Sequence, residues 1–344
     1  GFEKRSYDER EYAEGVARRM RTTHHQRLVA PDVLEVMPRM VRHYGEPFGD
    51  ASAVPTWYLS QVTSEHVKVA LSGDGGDEIF GGYNRLDSTQ AVAFYQLLPV
   101  LIRKGLIEPP FNHLPSLSGK DGYLGQLKQF MEGASQHPAH RMILRNTAFS
   151  PKMKSQLYRG DLVKTGVRYN PADRFFRVHD ELKGLSEVAR LQFADLGIFL
   201  PDDILVKVDI ASMAHSLEVR SPFLDHELAE YVLSLPQVYR HRLFRRKRLL
   251  KSLGSRFFPP ADLHRKKKGF RLPLGDWLRT SLRKSLRRGL TESPIFAEGN
   301  LFDRGYIRSL YDAHQSGRVN HADRLWNLWF LGEWSKQANL SGKW

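Results

Sequence analysis

The 344-residue sequence contains no cysteine. That excludes a disulfide framework, a thiolate metal site and a cysteine nucleophile within this chain. It also lacks an uninterrupted apolar run of about 18 residues, the length that spans a bilayer. Its most apolar stretch, Ala91 to Ile102, is short and carries Gln96 and Pro99. The first residues, GFEKRSYDERE, have no signal-peptide core and no initiator Met, so the chain is expected to begin inside a longer protein. Histidines are scattered (His24-His25, His137, His140, His264) without an H-E-x-x-H pattern, and zinc is not expected. What is present is ordinary for a soluble globular protein, 41% hydrophobic and 26% charged, which excludes a disordered or collagen-like chain. The length allows about two domains.

Charge is unevenly placed. There are 52 Lys and Arg against 38 Asp and Glu, a net charge of +14. Arg240 to Arg288 holds 18 basic and 2 acidic residues, a net of +16, which leaves 34 basic and 36 acidic residues elsewhere. Such a regional field suits nucleic acid, a membrane surface or a polyphosphate ligand, or simply solvated helix faces. Leu278, Leu282 and Leu286 at four-residue spacing fit the last reading. Its aromatics (Phe244, Phe257, Phe258, Phe270, Trp277) are irregularly spaced, which argues against base stacking, so neither a nucleic-acid nor a membrane partner is expected.

The pattern divides the chain at about residue 90. Residues 1–90 alternate α and β signals: the end of a strand at Phe2, a helix over Tyr7–Met20, a short strand over Arg27–Ala30, a helix over Pro31–Tyr44 that Pro38 should kink or split, and a strand over Val67–Leu71. Alternation of this kind predicts a parallel sheet. Residues 91–344 are expected to be mostly helical, with loops at 109–122 and 160–173 and a helix over 324–334 that buries Trp326, Trp329 and Phe330 on one face.

The strand VKVAL runs into Ser72-Gly-Asp-Gly-Gly-Asp-Glu-Ile-Phe-Gly-Gly-Tyr83, five glycines and three carboxylates in twelve residues. Glycine lets a backbone approach a ligand closely, and ligands of open α/β sheets sit at the carboxyl ends of strands. Carboxylates beside phosphate need a cation between them, and Mg²⁺ held by one or two carboxylates resolves the conflict. The loop therefore points to a Mg-nucleotide site, although it matches neither Walker A nor G-x-G-x-x-G; an acidic turn capping a helix near Asp77 is the plainer alternative. Two further stretches supply context. In FLPDDILVKVDIASMAHSLEVRSPFLD (199–225), Pro201-Asp202-Asp203 reads as a helix start, Asp203 and Lys207 as an i, i+4 pair, and Glu218 and Arg220 as a buried ion pair. In HRKKKGFRLP (264–273), an ammonium beside a glycine could reach a leaving pyrophosphate.

Together with GEPFGDASAVPTWYLS (45–60), these segments resemble the synthetase domain of glutamine-dependent asparagine synthetase, in family order from the first residues to about 280. The resemblance implies an adenine-nucleotide α-hydrolase-like parallel sheet, its N-terminal part missing here, followed by a mostly helical C-terminal region. It implies that the aspartate β-carboxylate attacks the α-phosphorus of MgATP, that pyrophosphate leaves, and that ammonia from glutamine displaces AMP from β-aspartyl-AMP. It places Ser72 and Gly73 on the AMP portion of ATP, Asp74 at the acidic position important for the adenylate, Asp77 as a Mg²⁺ ligand, Lys267 as the lysine that stabilises pyrophosphate departure, and Lys247 as a second lysine facing pyrophosphate. Asp202, Asp203 and Asp209 share the motif without an assigned role. The family's SGG-x-DS pyrophosphate loop and its cysteine-dependent glutaminase are not in this sequence, so the chain is expected to be a C-terminal fragment that by itself neither hydrolyses glutamine nor makes the adenylate competently. Related adenylating enzymes, such as β-lactam synthetases, are the alternative. A cytoplasmic location and a homodimer are further expectations.

Overall fold

The computed structural model describes the chain except residues 2–7, 30–31, 108, 110–132, 135, 266–271, 298–299 and 339–344. The strand end expected at Phe2, most of the loop expected at 109–122, and Lys267 lie outside the described residues.

The N-terminal part begins with α1 (Arg10–Met20) and α2 (Val33–Tyr44). Between them, residues 27–29 form no strand; their backbone exchanges hydrogen bonds with Gly1, Val29 N to Gly1 O at 2.8 Å and the Gly1 ammonium to Arg27 O at 2.9 Å. Helix α2 runs through Pro38 without ending. Proline removes one helical hydrogen bond, but α2 buries Val33, Val36, Met37, Met40, Val41 and Tyr44 along one stripe. Each such burial is worth about 1.5–3 kcal/mol, so the stripe outweighs a loss of about 3 kcal/mol at the proline. Asp32 caps its start by accepting from Leu34 N and Glu35 N, and Gly45 ends it at φ 69°. Helix α3 (Ala53–Ser64) follows, with Trp57 fully buried.

Strand β1 (Val69–Leu71) is the core of the expected strand. It pairs in parallel with β2 (Glu218–Arg220) in the register Val69↔Glu218, Ala70↔Val219 and Leu71↔Arg220. Among the described residues the sheet has these two strands. β2 could not be anticipated from sequence, because three residues with a charge at each end carry almost no strand signal. Glu218 and Arg220 do pair, at 2.7 Å, but both side chains are more than half exposed. Residues two apart on a strand share a face, and this face meets solvent, so the expected buried ion pair is a surface one.

The remainder is helical, as expected: α4 (Gly76–Phe80), α5 (Asn84–Gln96), α6 (Glu187–Ala194), α7 (Val206–Met213), α8 (His226–Ser234), α9 (Arg248–Gly254), α10 (Leu274–Arg279), α11 (Arg283–Glu292), α12 (Arg304–Gln315) and α13 (Ala322–Gln337) place the site and the core. The stretch 160–173, expected as a loop, holds the whole of one helix, Asp161–Arg168, and the start of another, Ala172–Glu181. Its Gly, Asn and Pro residues cap these helices: Gly160 at φ 52° precedes the first, and Asn170 Oδ1 accepts from Ala172 N at 3.2 Å. No helix starts at Pro201 either. The helical path runs from Glu187 to Met213, with a π-helical stretch over Asp195–Leu205 that contains Pro201. A widened turn removes the need for the regular i→i−4 bond at a proline.

The largest apolar cluster draws on α2 and α3 at one end of the chain and α10 to α13 at the other. Leu278, Leu282 and Leu286 lie inside it, as do Trp326, Trp329 and Phe330 of α13. A smaller cluster of Ile79, Phe80 and Val232, flanked by Phe223, Leu224, Leu249 and Leu250, seats α4.

Candidate active site

The acidic loop leaves β1 at Leu71 and enters α4 at Gly76, one residue before the helix start that the alternative reading places near Asp77. Its first residue continues the sheet pairing, Ser72 N donating to Arg220 O at 2.8 Å. Ser72 Oγ then donates to Asp74 Oδ2 at 2.9 Å and lies 2.8 Å from Ser221 Oγ, the residue that follows β2. Two parallel strands thus deliver Ser72 and Ser221 side by side at their carboxyl ends. Gly73 is exposed, and a side chain there would meet only open space. Gly75 has no such latitude: φ is 80°, and a Cβ would come within 2.2 Å of Leu224 Cδ2.

Asp77 reaches a distant segment of the chain. Its Oδ1 lies 2.9 Å from Lys247 Nζ, a bridge over 170 residues of chain. Gly82 is the third member of this contact. A Cβ there would sit 1.8 Å from Asp77 Oδ1 and 2.4 Å from Lys247 Cε, so glycine is the residue that lets the pair close. Lys247 precedes α9 with φ 52°, an uncommon backbone for a lysine. The segment before it is fixed by Asp87 of α5, which is buried. Asp87 Oδ1 accepts from His241 Nε2 at 2.9 Å and from Phe244 N at 2.8 Å, and its Oδ2 lies 3.3 Å from Arg246 Nε. Burial pushes the His241 imidazole below its ordinary value and outweighs the carboxylate beside it. The imidazole is therefore a neutral donor.

The back of α4 is held by a second buried network. Gln192 of α6 donates through Nε2 to the carbonyls of Glu78 (2.6 Å) and Ile79 (2.9 Å). Arg240, 3% exposed, donates to the carbonyls of Val232 and Leu233 at 2.8 Å and to that of Leu235 at 2.6 Å, and its Nε lies 3.4 Å from Gln192 Oε1. Part of the +16 segment is thus structural: Arg240 and Arg246 serve the scaffold, and Lys247 serves the loop.

This loop geometry, on this pair of strands, is carried by a sequence that matches the asparagine synthase family over residues 1–336. The chain belongs to the asparagine synthase family. Among curated relatives it is 26% identical to asparagine synthetase [glutamine-hydrolyzing] 1 of Bacillus subtilis, across 97% of this chain and 51% of that protein. It is 30% identical to a putative asparagine synthetase [glutamine-hydrolyzing] of Mycobacterium tuberculosis, across 97% of this chain and 49% of that one, and 24% identical to the amidase chry2 of Gibberella zeae, across 72% and 39%. The chain spans about half the length of the asparagine synthetases it matches.

Beside the family loop lies a cavity of about 840 Å³ that sequence reasoning did not place. The link is Tyr83. Its hydroxyl donates to Glu78, its ring packs edge-on against Phe199 at 5.9 Å, and the Arg85 guanidinium lies over both rings at 4.2 and 4.7 Å. Arg85 and Phe199 line the cavity, with Asp50, Ser52, Asp202 and Asp203. Arg85 is held by Asp195, which is 1% exposed, at 2.7 Å. Lys207 pairs with Asp50 at 2.7 Å, not with Asp203 as its spacing suggests, and Tyr44 Oη donates to the Lys207 carbonyl at 3.1 Å. The π-helical stretch changes the register, so a four-residue spacing no longer guarantees a pair. Burial alone would raise the Asp50 carboxyl, but the Lys207 charge and hydrogen bond, with two donors from Ser52, hold it below the ordinary range. Among the described residues Asp203 has no such donors: burial, then the Asp50 charge, push it up to about 6. Asp202 pairs outward with Arg174. Among the charged groups that line the cavity, Asp50 is thus a retained anion, Asp203 an acid raised above its ordinary range and Arg85 a guanidinium, with Glu46, Asp202 and Asp323 also in the lining. The signals were in the sequence, as Asp50 in GEPFGD and Lys207 in LVKVD, but nothing in it joins them across 157 residues.

Proposed function

We propose that this chain is the synthetase half of a glutamine-dependent asparagine synthetase, an ATP-dependent carbon–nitrogen ligase that amidates aspartate through β-aspartyl-AMP. The observation that carries the proposal is the Asp77–Lys247 pair closed over Gly82, in the same loop as Ser72 and Asp74, at the carboxyl end of β1. Forming the adenylate brings a carboxylate to a polyphosphate, so the site must offset anionic charge as pyrophosphate leaves. Lys247 supplies a cation already in place. Ser72 and Gly73 take the AMP portion of ATP: the Ser72 hydroxyl offers a polar contact, and the open space at Gly73 lets the nucleotide approach the backbone. Asp74, oriented by Ser72, is assigned to the adenylation step. Asp77 would hold Mg²⁺ brought in with the triphosphate. The residues fit such an ion: Asp74 and Asp77 are two carboxylates of one glycine-rich loop at the end of a strand, and Mg²⁺ on substrate phosphates needs only one or two protein carboxylates. When bound, the ion would add further neutralisation of the phosphate oxygens. Lys267 is assigned to pyrophosphate departure on the resemblance alone.

Ammonia derived from glutamine would then displace AMP. This chain has no cysteine to release it, and is expected to produce no ammonia from glutamine. No helix among the described residues is long and apolar enough to cross a membrane; a cytoplasmic location is proposed on the family resemblance. The decisive experiment is aspartate-dependent exchange of labelled pyrophosphate into ATP. It should be run on this chain and on this chain joined to the remaining half of the B. subtilis relative. Exchange in the joined protein that Lys247→Met lowers at least 100-fold supports the reading; exchange indifferent to aspartate or to Lys247 removes it.

A further inference from the structure

The C-terminal helices carry a second feature that the amidation chemistry does not use. Helices α11 and α12 flank a cavity of about 580 Å³. Arg283 and Arg287 line it from α11, and Arg304 and Arg308 from α12. Each pair is spaced i, i+4, so the two guanidinium groups of a pair share one helix face. Leu290 and Ile307, both buried, form the apolar floor. The cavity shares no lining residue with the 840 Å³ cavity beside the acidic loop.

Like charges at i, i+4 destabilise a helix by a few tenths of a kcal/mol per pair, and four converging guanidinium groups repel one another across the groove as well. Among the described residues little offsets this. The one acidic residue in the lining, Asp312, lies 3.7 Å from Arg308 Nε. Arg304 gives one hydrogen bond, Nη1 to the Ala297 carbonyl at 3.0 Å. Among the described residues neither Arg283 nor Arg287 has a carboxylate within 4.0 Å. Their neighbour Arg288, which does not line this cavity, pairs with Glu292 at 3.2 Å. Helix α11 thus pairs an arginine on one side and, among the described residues, leaves two unpaired on the other, where the surface is concave.

We propose that this groove binds a small, multiply charged phosphate anion, of the size of a nucleoside polyphosphate. The guanidinium fork matches two phosphate oxygens at once, which a single lysine charge does not. Four forks across a concave floor suit an anion with at least two phosphate groups, and the volume lies in the range of small-molecule sites, about 300–1,000 Å³. Tyr311, also in the lining, offers a ring face to the rest of such a ligand.

The test is isothermal titration of the full 344-residue chain with inorganic tripolyphosphate at physiological salt. Lys247→Met is used as background, so that the acidic-loop site does not contribute. The expected result is saturable binding of one anion per chain. It should weaken at least 10-fold in R283Q/R287Q and in R304Q/R308Q, and less than 2-fold in K284Q/R288Q, which removes the same charge from α11 outside the groove. All these side chains are exposed, so the variants should fold. The groove variants should melt at or slightly above the parent temperature without ligand and lose the upward shift that tripolyphosphate gives the parent. Equal weakening in all three double variants, binding without saturation, or an RNA oligonucleotide that binds tighter in proportion to its length would each overturn the proposal, because each describes a diffuse positive surface. Absence of binding to the Lys247→Met chain overturns it outright.

Discussion

Gly82 makes the sharpest test of the acidic loop, because its lack of a side chain is what admits Lys247 to Asp77. Gly82→Ala forces a Cβ to within 1.8 Å of Asp77 Oδ1. Overpacking of this kind costs about 1–3 kcal/mol. The expected outcome is a lower urea midpoint together with loss of pyrophosphate exchange in the joined protein, whereas Gly73→Ala, in open space, should leave the midpoint unchanged. Asp203 is the second residue with a measurable signature. Its folded value of about 6 exceeds the ordinary 3.8, so the native state holds a proton that the unfolded chain has released. Stability from this group is therefore complete below pH 4 and is lost as pH rises to 6. Asp203→Asn should remove that loss and leave the variant about 1–2 kcal/mol more stable than the parent at pH 7.5, read from denaturant midpoints. An unchanged pH dependence would show that Asp203 is solvated.

At the scale of elements, the acidic loop owes its position to what grips α4 from behind. Gln192 satisfies two carbonyls at the end of a five-residue helix that is too short to be stable by itself. Gln192→Leu keeps the volume, strands both carbonyls and deprives Arg240 Nε of its acceptor. A cost of about 2–3 kcal/mol is expected in chemical denaturation, with faster amide exchange in α4 than in α13. The strand and the loop were legible in the sequence because both are local. VKVAL is a β-rich run, and the glycine-dense acidic stretch that follows it marks a turn into a helix. The helices α11 and α13 were legible through their apolar spacing. Strand β2 and the helical path through Pro201 were not, since β2 exists only where β1 lies beside it, and a proline breaks a helix unless the surrounding packing makes the widened turn worthwhile.

Across the whole molecule, histidines whose surroundings disfavour their charge set the response to acid; His241 and His314 are buried, His215 is half-buried and His137 is exposed. Desolvation pushes His137, His215, His241 and His314 below their ordinary value. The unfolded chain thus takes up protons that the native state refuses, and stability falls as pH drops below about 6.5. This opposes the single Asp203 effect and involves four groups. The melting temperature is therefore expected to decline between pH 7 and pH 5, with a shallower slope in His241→Gln. A flat profile over that range would contradict the burial of His241 and His314.

The sequence by itself determined the most local features: the β-rich run that becomes β1, the apolar spacing of α11 and α13, and a loop dense in glycines and carboxylates after β1, since each depends on neighbours a few residues away. The tertiary structure decided the partners. Lys247 meets Asp77, Lys207 meets Asp50, Arg85 meets Asp195, and two arginine pairs face one groove, over separations of tens to more than a hundred residues. Such pairings follow from how helices pack on a shared core, and a charge carries no mark in the sequence of the charge it will meet.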